Sequence, residues 1–179
     1  MILTHFAFIL STGIALAAPI DTTQSNLKWT GQKPTSEHWG SLQFSSGNIE
    51  IRQDKWVGGE FNVDMTSMTV DDIKGPKGAK LLRHLKNDDF FGVDQFDTAT
   101  LRITSTKGEQ IEGDLTIKGK THPISFNYKK EKEAYTGKMI FDRTLYGITY
   151  KSKSIIEGLG DKFIKDQVIV DFKIVLKDQ

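Results

Sequence analysis

At 179 residues the chain suits a single domain with a core large enough to fold unaided. Its 24 Lys and Arg balance 23 Asp and Glu, which gives no electrostatic case for a nucleic-acid partner. It has no cysteine, which excludes disulfides, zinc–thiolate sites, iron–sulfur clusters and thiol catalysis.

The first element in chain order is a leader. Met1–Ala18 carry no Lys, Arg, Asp or Glu, and the apolar run Phe6–Leu10 leads into Gly13–Ala17. Ala15 and Ala17 form an Ala-x-Ala cleavage site, and the run falls short of the ~20 apolar residues of a bilayer span. We therefore expect a signal peptide over residues 1–17 and one domain over 18–179, with Met1–Pro19 outside the fold. No cysteine follows the cleavage site, so a lipid anchor is not expected. The mature protein should be exported, to the periplasm or the extracellular space, with no stable membrane span.

Strands come next, recognised by apolar–polar alternation at period two. The segments are Leu27–Gly31, Gly40–Phe44, Ile49–Ile51, Trp56–Val57, Glu60–Met65 and Thr100–Thr104, then Ile111–Lys118, Ile124–Tyr128, Tyr135–Phe141 and Gln167–Leu176. Turn residues separate them at Ser46-Gly47-Asn48, Gly58-Gly59, Lys107-Gly108-Glu109, Lys118-Gly119-Lys120 and Lys130–Glu133. Two segments break the pattern. Ala79–Lys86 places Leu81, Leu82 and Leu85 for a two-turn amphipathic helix, and Lys153–Asp166 reads as a helical turn or a long loop. Many short strands on short connections argue for an all-β antiparallel sandwich or barrel. In the last strand Val168, Val170, Phe172, Ile174 and Leu176 make one wholly apolar face. Such faces can close round an interior filled by side chains or by one small ligand.

Four blocks in order add a resemblance. They are Trp29–Gly40, Gly59–Met68 leading to His84–Phe91, Ile111–Ile124, and Asp142–Ile148 with Gly160-Asp161 and the last strand. Over about Leu27–Leu176 the chain resembles the YceI-like family of exported lipid-binding proteins. The resemblance implies a lipocalin-like antiparallel β-barrel of about eight strands with one or two short helices. Its interior would hold a polyisoprenoid or similar amphiphile, of isoprenoid quinone or prenyl phosphate type. One departure is Phe96-Asp97, where the family usually carries Phe-Pro, a change expected to affect loop stiffness more than function.

The residues expected to point inward and line the ligand are Phe61, Val63, Met65, Leu101, Ile103, Leu115, Ile117, Phe126, Met139, Phe141, Val170, Phe172 and Ile174. Alternation alone equally permits an ordinary filled core. Burying one isoprene unit is worth at most about 4 kcal/mol at ~0.8 per CH₂, so two or three units reach micromolar affinity after association costs. His84 is read either as a headgroup donor or as a helix-surface residue, and Arg143 either as a headgroup clamp or as part of a structural network with Asp142. The spacing of His38, His84 and His122 matches no metal-ligand pattern, so no metal or cofactor is expected. Asp88-Asp89 reads as a solvated turn, and there is neither a Gly-x-Ser-x-Gly elbow nor a Walker A loop. No catalytic residue is assigned. An enzyme acting on a lipid-like substrate would need His84 or His122 beside a carboxylate and facing a pocket. A third reading is an interaction or stress protein with a vestigial cavity. An exposed terminal strand would permit a homodimer through edge pairing.

Overall fold

The computed structural model describes residues 14–53 and 55–177. Its elements are β1 (Leu16–Pro19), β2 (Asn26–Gln32), β3 (Glu37–Arg52), β4 (Lys55–Asp64), α1 (Gly75–Lys86), β5 (Thr98–Lys107), β6 (Gln110–Ile117), β7 (Lys120–Glu131), β8 (Ala134–Asp142) and β9 (Gln167–Val175). Short 3-10 turns at Met65–Ser67, Arg143–Tyr146 and Gly160–Lys162 join them. From β3 to β9 each strand pairs antiparallel with the next, and β2 bridges β9 to β3, closing an eight-stranded barrel.

Two expected turns are strand interior instead. Ser46-Gly47-Asn48 lies within β3, where a bulge between Phe44 and Ser46 bends the strand without reversing it. Gly47 is needed there because a Cβ would press on the Phe61 ring. Likewise Gly58-Gly59 lies within β4, and Gly59 at φ 147° holds a conformation that side chains resist. Glycine in a strand marks a bend as readily as a turn, and the pairing partner decides which. These mergers bring the ten expected segments down to eight barrel strands. The helix also begins four residues earlier than expected, because Pro76 in its first turn favours helix entry.

A further correction concerns the N-terminus. Leu16–Pro19 were expected outside the fold, but as β1 they pair with Asn48–Ile51 on the edge of β3 that β2 leaves open. Ala18 and Ile20 are buried, and Ile20 bridges to Leu176. The remainder of the leader's apolar run lies outside the described residues. The terminal strand is not an edge either: β9 is flanked by β2 and β8, so the edge-pairing route to a dimer is closed to it.

Strand polarity gives the barrel two unlike ends. At one, the β3–β4 and β7–β8 turns surround an aromatic cluster of Trp56, Phe61, Tyr128 and Tyr135, with ring centroids 5.0–5.9 Å apart. Trp56 is 1% exposed and donates from Nε1 to Gly58 O at 2.8 Å, so the ring's polar edge is satisfied while its body seals that end. At the other end sit α1, the 3-10 turns and the segment Tyr150–Lys165.

Candidate functional site

Between those ends the barrel encloses a cavity of about 300 Å³. Its wall is almost wholly apolar. Of the residues expected to line a ligand, Phe61, Val63, Met65, Leu101, Leu115, Ile117, Phe126, Met139, Phe141, Val170, Phe172 and Ile174 are on this wall. Ile103 is corrected: it is buried but off the wall, level with Gly59 and Gly113 of its neighbouring strands. Trp56 forms the floor.

The wall also holds residues that alternation did not single out. Leu27, Trp29, Leu42 and Phe44 come from β2 and β3, and Leu81, Leu85, Phe90 and Phe91 come from α1 and the loop after it. The signal for the second group was present in the three phenylalanines following the helix, but only the fold lays them over the barrel end. Trp29 is held in place by donating to Thr69 O at 3.1 Å. The fit there is close enough that a Cβ at Gly40 would collide with the Thr69 carbonyl and the indole.

Polar groups gather at the helix end. Gln32, Lys33, His38, Lys151 and Lys165 rim the cavity, with the Lys165 ammonium donating to Gln32 Oε1 at 3.1 Å. Among the described residues, neither Lys33 nor Lys151 has a carboxylate partner. His84 also faces the cavity, its ring edge-on to Phe90 and Tyr150 at centroid distances of 4.9 and 4.6 Å. Its Nδ1 lies 3.3 Å from the Asn87 amide nitrogen, which can only donate, so the proton is assigned to Nε2. That Nε2 is the one buried side-chain nitrogen or oxygen among the described residues without a hydrogen-bond partner. A native fold rarely leaves such a group unmatched.

Arg143 resolves differently. It lies against the cavity but is only 2% exposed, donating to Ile148 O at 2.8 Å, Ile164 O at 3.0 Å, Lys165 O at 3.2 Å and Asp166 Oδ1 at 3.2 Å. Burial lowers its pKa, and the charges of Asp166 and Asp142 work against that. The guanidinium is a structural pin, and its carboxylate is Asp166 rather than the expected Asp142. Asp142 instead caps the following turn through Thr144.

The three histidines do not converge. His122 Nε2 meets Leu145 O at 3.0 Å, and His84 meets no carboxylate among the described residues. His38, which was not singled out for this role, is the imidazole with a carboxylate: its Nδ1 is 2.7 Å from Asp72 Oδ2. Partial burial works to raise the Asp72 pKa, but hydrogen bonds from His38 and the Trp39 N–H, with the His38 charge, hold it below the ordinary value. No cluster of three or more potential metal-ligating side chains occurs among the described residues.

The YceI-like domain model matches residues 19–176, nearly the whole described chain. The chain belongs to the YceI-like family. UPF0312 proteins of Staphylococcus aureus strains N315 and Mu50 are each 48% identical over 104 residues, an alignment covering 51% of this chain and 60% of theirs. Two solved structures share the YceI-like fold at low identity. Burkholderia cenocepacia BcnA superposes with a TM-score of 0.67 at 17% identity, over 88% of this chain and 99% of its own. A polyisoprenoid binding domain from Saccharophagus degradans, implicated in plant cell wall breakdown, gives 0.59 at 15%, over 90% and 98%.

Proposed function

We propose that this chain is an exported carrier that shelters the tail of a polyisoprenoid or similar amphiphile inside the barrel and presents its headgroup at the helix end. The observation that carries the reading is the pairing of an apolar cavity with a His84 Nε2 at its polar end that has no hydrogen-bond partner among the described residues. Apolar walls reward a hydrocarbon guest by area, and a few convergent polar groups fix its orientation. The Saccharophagus domain's name supports an isoprenoid tail. Lys33 and Lys151, without carboxylate partners among the described residues, favour an anionic head of prenyl phosphate type over a neutral quinone. The uncharged leader with Ala15 and Ala17 supports export to the periplasm or beyond, where a free lipid needs a container.

The test is to purify the protein from its native envelope, extract it with organic solvent and identify the extract by mass spectrometry. An isoprenoid at close to one per chain is expected. A lipid-free protein that also fails to take up a fluorescent prenyl phosphate would overturn the reading and leave an interaction protein as the better account.

A further inference from the structure

Resting on the carrier reading, we propose that the segment between Tyr150 and Lys165 is a docking tip that seats the cavity mouth on a bilayer bearing anionic lipid headgroups. The two feet of this segment form part of the cavity rim: Tyr150 and Lys151 on one side, Ile164 and Lys165 on the other. They are tied together by the Ser152–Ile164 bridge and by Ile164 N–H donating to Lys151 O at 2.9 Å. Arg143 holds the second foot through the carbonyls of Ile164 and Lys165, and Ser154 donates to Asp166 at 2.6 Å. A rigid base thus holds out a tip that does not fold back into the core.

The tip has the composition of a membrane contact. Ile155 and Ile156 are adjacent and 53% and 41% exposed, among the most exposed large apolar side chains described. Four lysines (Lys151, Lys153, Lys162, Lys165) lie in the same stretch against two acids, Glu157 and Asp161, a net of two positive charges. Apolar side chains beside lysines are what an interfacial segment needs: the first enter the acyl boundary while the second meet phosphates. Charge complementarity therefore selects an anionic bilayer over a neutral one. Placement gives the contact a purpose, because a tail leaving the membrane beside this tip would cross little water before reaching the cavity.

The test uses the full mature protein and vesicles of phosphatidylcholine alone or with one quarter phosphatidylglycerol. Wild type should float with the anionic vesicles at low salt, and less so at high salt. A double variant, Ile155→Asp with Ile156→Asp, should lose about tenfold or more in partitioning, and Lys153→Glu with Lys162→Glu a comparable amount. Neither pair lines the cavity. Both variants should therefore bind a fluorescent prenyl phosphate supplied from solution as wild type does, while acquiring it from vesicles more slowly. Wild type that ignores anionic vesicles, or variants that float equally well, would overturn the proposal. So would variants that float normally but change oligomeric state, since the tip would then join copies of the chain. Loss of probe binding from solution by every form strikes the carrier reading instead, and the flotation result still decides the tip.

Discussion

His84 and Arg143 look alike in the sequence, each a cationic or protonatable side chain next to an apolar run, yet they end in opposite states. Arg143 has three carbonyls and a carboxylate as partners, whereas the buried Nε2 of His84 has none among the described residues. Replacing His84 with Phe should keep the edge-on packing against Phe90 and Tyr150 while removing the donor. Affinity for a prenyl phosphate should then fall about three- to tenfold, the worth of one hydrogen bond, and affinity for a headless hydrocarbon of equal length should not change. A fluorescence titration with the two guests checks this, and equal losses would contradict it. Arg143→Met should act on stability: stranding buried carbonyls and Asp166 is expected to remove about 3–5 kcal/mol. A urea midpoint that hardly moves would show that the pin is dispensable.

At the scale of elements, the segment between the Met65–Ser67 turn and α1 is strapped across the upper half of β3. Thr69 accepts from Trp29, Thr69 N–H and Asp71 N–H donate to Ser41 O and Trp39 O, and Asp72 accepts from His38 and the Trp39 N–H. This strap sets where α1 lies over the barrel end. Since the folded Asp72 pKa is below its ordinary 3.8, the carboxylate contributes stability that is fully present above that value and is lost as pH falls through the depressed one. Thermal unfolding from pH 6 downward should therefore show an acid limb that is shallower in Asp72→Asn, with Asp21 and Asp64, also held below their ordinary values, supplying what remains. Identical pH profiles would mean that the strap does not depend on this charge. The strap was not legible beforehand, because Asp71-Asp72 reads as an ordinary polar loop until β3 is brought alongside. Helix α1 itself was legible, since Leu81, Leu82 and Leu85 carry the helical period within the segment.

For the whole molecule, the floor decides what the barrel can hold. The cavity is at the low end of the roughly 300–1,000 Å³ typical of ligand pockets, and it stops at Trp56 against Phe61, Tyr128 and Tyr135. A tail of many isoprene units would leave its remainder at the mouth. Trp56→Ala should lower stability by about 3–5 kcal/mol and shift the tail length beyond which affinity stops rising toward longer chains. A series of prenyl alcohols measured on both forms gives the answer, and an unmoved plateau would place the limit elsewhere than the floor. Barrel closure matters here too. With β2 paired to both β3 and β9, the barrel closes, while β7 and β8 pair only between Asn127–Glu131 and Ala134–Lys138 and part toward the helix end.

The sequence by itself determined which side chains face in and which face out, where the hairpins between β5 and β8 turn, and that one helix interrupts the strands. Those features are local: the two-residue alternation and the positive-φ turns Lys118-Gly119 need only near neighbours. Only the tertiary structure decided that Ile103 sits off the wall while Leu101 is on it, that Ser46–Asn48 bends rather than reverses, and that Arg143 finds Asp166 instead of Asp142. Alternation records a side of the sheet but not a volume. Whether the inward side chains meet or leave a void depends on the radius set by eight strands and their stagger, and on the summed bulk contributed from all of them at each level.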